Sequence, residues 1–353
     1  MSIYPSSFKI WFSKISALRV LMYSPVHSGR SGLISESIFR NPLGTLYVAI
    51  VMLFLAAPYY CDAYVLSVLI LAFYTAYVGQ TWNLLLGFTG QLSFGHALYA
   101  GVGAYLAAGL YLGFGWSPWL TAVPIMILSG FLGASIGFLG FRFGVQGVYF
   151  TLLTIAFSEC GRVIFDHWPL FGGTAGLFLP IDTIPNFWHL RGSITLFYYL
   201  FLSLVISAFA VSWLFLRTRL GYFSQATREN EQAAQALGIS TFWVKVKVMG
   251  LSASLTSLGG VFYAFYQNTL FPDQTFALSR SIELTMGTII GGVGTLLGPV
   301  VGSLLLVPLG EFIEYVSGEE IVGIKHIFYG FCLLGIILYL PKGIVPAFKS
   351  WRE

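Results

Sequence analysis

Three charged side chains between residues 159 and 166 have the types and spacing for chemistry inside an oily chain. Glu159 and Arg162 stand three apart, and Asp166 follows Arg162 by four. On a helix that spacing puts all three on one face. A carboxylate held there could relay a proton. An acid beside a base reads first as an intramembrane ion pair, because pairing limits the cost of taking charge out of water. Arg280 and Glu283 repeat the pattern. Asn83, Gln91, Ser93 and His96 form a second, neutral group within NLLLGFTGQLSFGHALYAGVGAYLAA. Polar groups in hydrocarbon need partners. They serve first as bonds between helices, or else as contacts along a translocation path.

The sequence offers no reactive cluster beyond these. The histidines (His27, His96, His167, His189, His326) lack metal-ligand spacing, and Cys61, Cys160 and Cys332 include no CxxC. The cysteines read as small packing residues. There is no Walker A motif, no nucleophile elbow and no carboxylate pair placed for hydrolysis. The expectation is a chain with no catalytic residue, no metal and no cofactor of its own.

The elements that position these residues follow from composition. The chain has 353 residues, 57% hydrophobic and 9% charged, with mean hydropathy +0.80. Soluble domains carry about 25% charged residues. The fold class is therefore an all-α integral membrane protein, a polytopic helical bundle, since runs of about 20 apolar residues cross a bilayer as helices. Ten spans are expected, near 43–60, 64–86, 92–112, 118–141, 146–166, 195–216, 243–267, 280–296, 298–316 and 322–340. Residues 1–40 form a basic amphipathic segment suited to the membrane surface. Residues 41–341 form the transmembrane domain, and 342–353 a tail. The loop at 167–194, with Trp168 and Trp188, reads as a compact cap at the interface.

The run from Ser281 to Val316 is too long for one ordinary helix. Gly291, Gly292, Gly294, Gly298 and Pro299 break it, as either one kinked span or a tight hairpin. Small residues four apart let helices approach closely. Most such pairs here, Gly133/Gly137 among them, read as packing. Broken helices at membrane depth are tolerated where they line a cavity or are buried in protein, so Gly291 to Pro299 is a candidate gate. Charge favours the hairpin. With ten spans and a cytoplasmic amino terminus, all basic residues but Arg162, Arg191, Arg280 and Lys325 fall on the inside, as cytoplasmic loops prefer.

That arrangement also places RTRLGYFSQATRENEQAAQALGISTFWVKVK, Arg217–Lys247, in the cytoplasm. It is the longest strongly polar interruption in the chain. Its middle, Arg228 to Gly238, predicts a short helix opened by Glu229, Glu231 and Gln232. Ala233, Ala234 and Ala236 propagate it and Gly238 ends it. A stiff alanine-surfaced helix between spans suits docking to a soluble partner; an ordinary solvated loop is the alternative.

ENEQAAQALGIS (Glu229–Ser240) and the following KVKVMGLSASLTSLGGVFYAF resemble the cytoplasmic signature and next span of the LivM-type permeases of branched-chain amino-acid ABC importers. NLLLGFTGQLSFGHALYAGVGAY, GVYFTLLTIAF, GGTAGL and GGVGTLLGPVVGS are similar to that family in order and spacing, covering most of residues 80–305. The resemblance implies the ABC importer permease fold. It implies that the 228–240 helix seats in a groove of an ATPase subunit. It also implies a second related permease, two cytoplasmic ATPases that hold the ATP and Mg, and a periplasmic or lipid-anchored substrate-binding protein in a bacterial inner membrane. The urea and short-chain amide permeases share this plan, and TIAFSECGRVIF (Thr154–Phe165) is more similar to the amino-acid branch. From other classes, a stand-alone channel or ion-coupled carrier would need a buried carboxylate, for which Glu159 is the deep candidate.

Overall fold

A computed structural model describes residues 54–180, 187–317 and 324–350. The elements below belong to one compact unit, Ala57–Glu353. The segment 1–40, most of the expected span 43–60 and the last residues of the tail lie outside the described residues.

Among the described residues, seven helices are long and apolar enough to cross a membrane. They are α1 (Ala63–Thr89), α2 (His96–Phe114), α3 (Pro118–Arg142), α4 (Val148–His167), α5 (Ile194–Arg217), α8 (Thr241–Gln267) and α11 (Gly298–Ser317). Two short helices, α6 (Arg219–Glu229) and α7 (Glu231–Ala236), separate α5 from α8. A turn of helix, α9 (Pro272–Thr275), precedes α10 (Leu278–Gly291). α12 (Ile324–Tyr339) and α13 (Ile344–Ser350) complete the described chain.

The expected count of ten spans is approximate: two of the expected spans are shorter helices among the described residues. α10 has 14 residues, about 21 Å at 1.5 Å per residue, against a hydrocarbon core of about 30 Å. α12 has 16 residues, with its apolar stretch at Ile327–Ile336. The boundaries of the seven long helices agree with the corresponding apolar runs to within a few residues.

Residues 281–316 form a hairpin and not one kinked span. Gly287 and Gly291 on α10 lie against Gly298, Gly302 and Ser303 on α11. A Cβ on Gly291 would stand 2.9 Å from the Gly302 nitrogen, and one on Gly302 would stand 2.7 Å from the Gly291 nitrogen. Only glycine lets these backbones touch. The break falls at 292–297, and Gly298–Pro299 starts α11 in place of interrupting it.

α8 is the central helix, packed against α1, α2 and α3 through small residues. Gly250 approaches the Gly130 carbonyl to 3.0 Å, and Gly133 approaches the Met249 carbonyl to 3.1 Å, measured from the Cβ each glycine lacks. The segment between α4 and α5 is tied down at several points. Leu177–Phe178 (β1) pairs antiparallel with Thr269–Leu270 (β2). Trp119 Nε1 donates to the Phe187 carbonyl at 3.1 Å. Trp168 and Trp188 are exposed, as interfacial aromatics are.

Candidate functional site

The polar arm departs from expectation at its start. Arg228 and Glu229 end α6 and do not open the next helix. Asn230, with extended backbone, separates the two and caps α7: its Oδ1 accepts from Ala233 N at 3.0 Å. Asparagine is a preferred N-cap because it satisfies an orphan helical N–H. At the other end Gly238 has φ 84°. The bonds Gly238 N→Gln235 O (2.9 Å) and Ile239 N→Ala234 O (3.0 Å) close the helix. This closure needs the left-handed backbone that glycine adopts without strain. A six-residue helix is thus held by its own caps.

Two further bonds root the arm in the bundle. Glu231 Oε1 accepts from Lys245 Nζ at 2.6 Å and from the Thr241 hydroxyl at 3.1 Å. Lys245 is buried on α8, and its ammonium also lies 5.5 Å from the Phe141 ring centroid. Ala234 faces inward, whereas Ala233 and Leu237 face solvent, Leu237 at 82% exposure. An apolar side chain so exposed on a rigid helix is a ready contact for a protein partner.

Arg228 turns away from that surface. Its Nη1 donates to the Gly87 carbonyl in the last turn of α1. Across from it, buried Asn83 grips the α10–α11 turn: Gly294 N donates to Asn83 Oδ1 at 2.8 Å, and Asn83 Nδ2 donates to the Thr295 carbonyl at 2.8 Å. Thr295 completes the turn through Oγ1, which donates to Gly292 O (2.8 Å) and accepts from Gly298 N (3.0 Å). The structure therefore brings together Arg228, Asn83, Gly292, Gly294 and Gly298, which the sequence separates by up to 215 positions.

Gln91 and Ser93 lie elsewhere, on the extended stretch between α1 and α2, and His96 is the first residue of α2. The Gln91 amide donates to Leu85 O at 3.2 Å, closing α1. The Ser93 carbonyl accepts from Trp82 Nε1 at 2.7 Å. His96 Nε2 lies 2.9 Å from the Ser252 hydroxyl, which donates to Thr81 O at 2.7 Å. Thr81 is eight residues before the end of α1, about 12 Å along the helix, so α2 begins well inside the bundle. α10 begins beside it: Ser281 Oγ accepts from Ala97 N at 2.9 Å and donates to the Phe94 carbonyl. The His96 and Ser281 side chains bond helices to one another, whereas Gln91 and Ser93 act through backbone groups.

The charged cluster of α4 is not a buried pair. Arg162 binds Glu159 (2.7 Å), Asp166 (2.9 Å) and Asp273 on α9 (2.7 Å). The Glu159 side chain is 54% exposed. Asp166 of the same cluster is 9% exposed, and Glu283, bonded to Arg280 at 2.8 Å, is 13% exposed beside an Arg280 side chain 18% exposed. The Arg280 guanidinium also sits over Tyr263 and Tyr74. Cys160 is exposed on the same helix as Glu159, so its packing role is corrected.

Sequence reasoning missed Asn230, Lys245, Ser252 and Ser281 as structural anchors. Asn230 carried a readable signal, an asparagine directly before an acidic helical turn. Lys245 and the serines carried none, since only their neighbours across the bundle give them a role. It also missed Gln80, Thr288 and Ser303, buried polar groups that have no hydrogen-bond partner among the described residues.

Membrane-length helices packed through glycine, with polar side chains spent on helix contacts and a capped arm projecting from one end, define a polytopic membrane permease. The chain belongs to the family described as branched-chain amino acid transport system / permease component, which matches residues 64–338. It is 26% identical over 329 residues to the high-affinity branched-chain amino acid transport system permease protein LivM of Escherichia coli, covering 85% of this chain and 74% of that protein. It is 24% identical over 310 residues to a probable LivM of Methanocaldococcus jannaschii, covering 76% and 89%. A shorter match of 135 residues, 24% identical, links 34% of this chain to 39% of the autoinducer 2 import system permease protein LsrC of Salmonella paratyphi B. No solved structure matches the chain.

Proposed function

We propose that this chain is the permease subunit of an ATP-driven importer of branched-chain, hydrophobic amino acids in the bacterial inner membrane. It forms the translocation path with a second, related permease. Two cytoplasmic ATPases hold ATP and Mg, and a periplasmic or lipid-anchored protein delivers the substrate. The amino terminus, α6, α7 and α13 face the cytoplasm. The observation that carries this reading is α7: a short helix, rigid through its own caps, rooted by Glu231 and Lys245, and presenting Ala233 and Leu237 outward.

In this mechanism ATP closes the ATPases against each other and moves α7 as a rigid body. The Glu231–Lys245 pair passes that movement to α8, the central helix. Pairing a buried ammonium limits its desolvation cost, so the joint resists separation. The polar side chains at mid-depth hold helices in register and perform no bond-making.

Leu237→Asp puts charge on the docking face without touching the bundle. The expected outcome is loss of ATPase co-purification and of leucine uptake, with the subunit still in the membrane at normal level. Uptake that persists without ATP and collapses with the proton gradient would instead identify an ion-coupled carrier, in which Glu283 is the carboxylate to test. Competition by urea but not by leucine would identify the amide branch.

A further inference from the structure

One charged group of the arm, Arg228, reaches away from the docking surface to the end of α1, and its surroundings say what it does. α1 ends at Gly90, and its own last turn holds no basic residue. Helix ends leave carbonyls without intrahelical partners, and a cation there complements the dipole. The backbone of Gly90 and Gln91 satisfies Leu85 and Leu86. The Gly87 carbonyl receives its donor from another element, the Arg228 guanidinium at the end of α6. That approach requires glycines. A Cβ at Gly90 would lie 3.3 Å from Arg228 Cγ, and one at Gly294 would lie 2.5 Å from Arg228 Nη1 and 3.0 Å from the Gly87 carbonyl. The Gly294 nitrogen is in turn held by Asn83, one helical turn before Gly87.

A single guanidinium therefore touches three elements at once: α6, the end of α1, and the α10–α11 turn. Two residues further on, the chain bends at Asn230 into α7. We infer that Arg228 is a coupling latch: a positioning residue that ties movement of the arm to the α10–α11 turn through Gly87, Gly294 and Asn83. This rests on the importer reading above and adds the residue through which force leaves the arm. α8 receives the arm's push through Glu231 and Lys245; the α10–α11 turn receives it through Arg228. Arginine suits the post because its planar fork binds one acceptor while packing flat against neighbouring backbone, which a lysine ammonium does not do.

The test uses the whole complex, this chain with its second permease, both ATPases and the binding protein, in proteoliposomes of phosphatidylethanolamine and phosphatidylglycerol. Radiolabelled leucine is the probe, and ATP hydrolysis is read in parallel. With Arg228→Gln, ATPases should co-purify and hydrolysis persist, while leucine moved per ATP falls roughly tenfold, the scale of residues that carry coupling between sites. Asn83→Ala, on the opposite side of the latch, should give the same ratio, and the double variant should be no worse than either, because both act through one element. Arg228→Lys, which keeps charge and most of the length, should fall between native and Gln; it decides the matter if the Gln variant does not reach the membrane. A native leucine-to-ATP ratio in Arg228→Gln or Arg228→Lys, or loss of the ATPases from either, overturns the latch and leaves the importer standing. An unsubstituted complex that hydrolyses ATP without moving leucine overturns the importer and the latch together.

Discussion

Two breaks interrupt the helices of this bundle, and they are held in different ways. The stretch from Gly90 to Gly95, between α1 and α2, is braced from several helices. The Thr151 hydroxyl donates to Leu92 O at 3.1 Å, Phe94 N donates to Thr154 Oγ1 at 3.2 Å, Trp82 binds the Ser93 carbonyl, and Ser281 binds Phe94. Its backbone groups are spent on α1, α4 and α10, as buried polar groups must be. The turn from Gly292 to Leu297 bonds mainly to itself. From outside it is gripped by Asn83 and touched by Arg228. The first break is scaffold. The second packs at Gly292 against Lys342 and Pro346 and is otherwise met by two side chains, one of them on the polar arm, and so can respond to that arm.

The harshest way to break the comparison is Gly291→Leu. Its side chain would enter the α10–α11 contact, where even a Cβ stands 2.9 Å from the Gly302 nitrogen. Overpacking of this kind costs about 3 kcal/mol or more. The expected outcome is a subunit lost from the membrane, read by immunoblot and thermal unfolding in detergent.

Ser281→Ala sharpens the contrast. It removes the acceptor of Ala97 N and the donor to Phe94 O, and leaving buried groups unmade costs roughly 1–3 kcal/mol. Melting temperature should fall while leucine moved per ATP stays native. Asn83→Ala loses a similar number of bonds at the other break, yet its ratio should change. Equal uncoupling by the two variants would erase the distinction between scaffold and responsive turn.

Glu231→Ala tests the root of the arm. Lys245 loses a charge-assisted bond, at a cost of about 1–2 kcal/mol; the carboxylate is 32% exposed, so solvent already weakens the pair. A modest drop in melting temperature and partial loss of ATPase binding are expected. Gly238→Ala should have the smallest effect on stability, about 1 kcal/mol, because φ 84° strains any other residue but open space surrounds the missing Cβ. Its effect should concentrate in ATPase affinity, measured by co-purification across protein concentration.

Much of the fold was written in composition and periodicity. Apolar runs of membrane length and glycine and proline at their ends placed α1 to α5, α8 and α11 to within a few residues, because a bilayer demands internally bonded helices. The arm was legible as a polar stretch with an alanine helix and a glycine stop. Its division at Asn230 was missed, since a cap competes with helix continuation and contacts decide the contest. Depth and pairing were not legible. Glu159 and Glu283 carry the same charge beside the same kind of base, but only packing left one 54% exposed and the other 13%, paired with an Arg280 that sits over Tyr263 and Tyr74. The residues that meet at Arg228 come from α1, α6 and the α10–α11 turn, and nothing local to any of them names the others. Sequence by itself determined which segments must be helices and that they lie in a membrane, because those follow from each segment's own transfer free energy. Tertiary structure decided which polar side chains share a partner, because a hydrogen bond across the bundle depends on where two distant backbones come to rest.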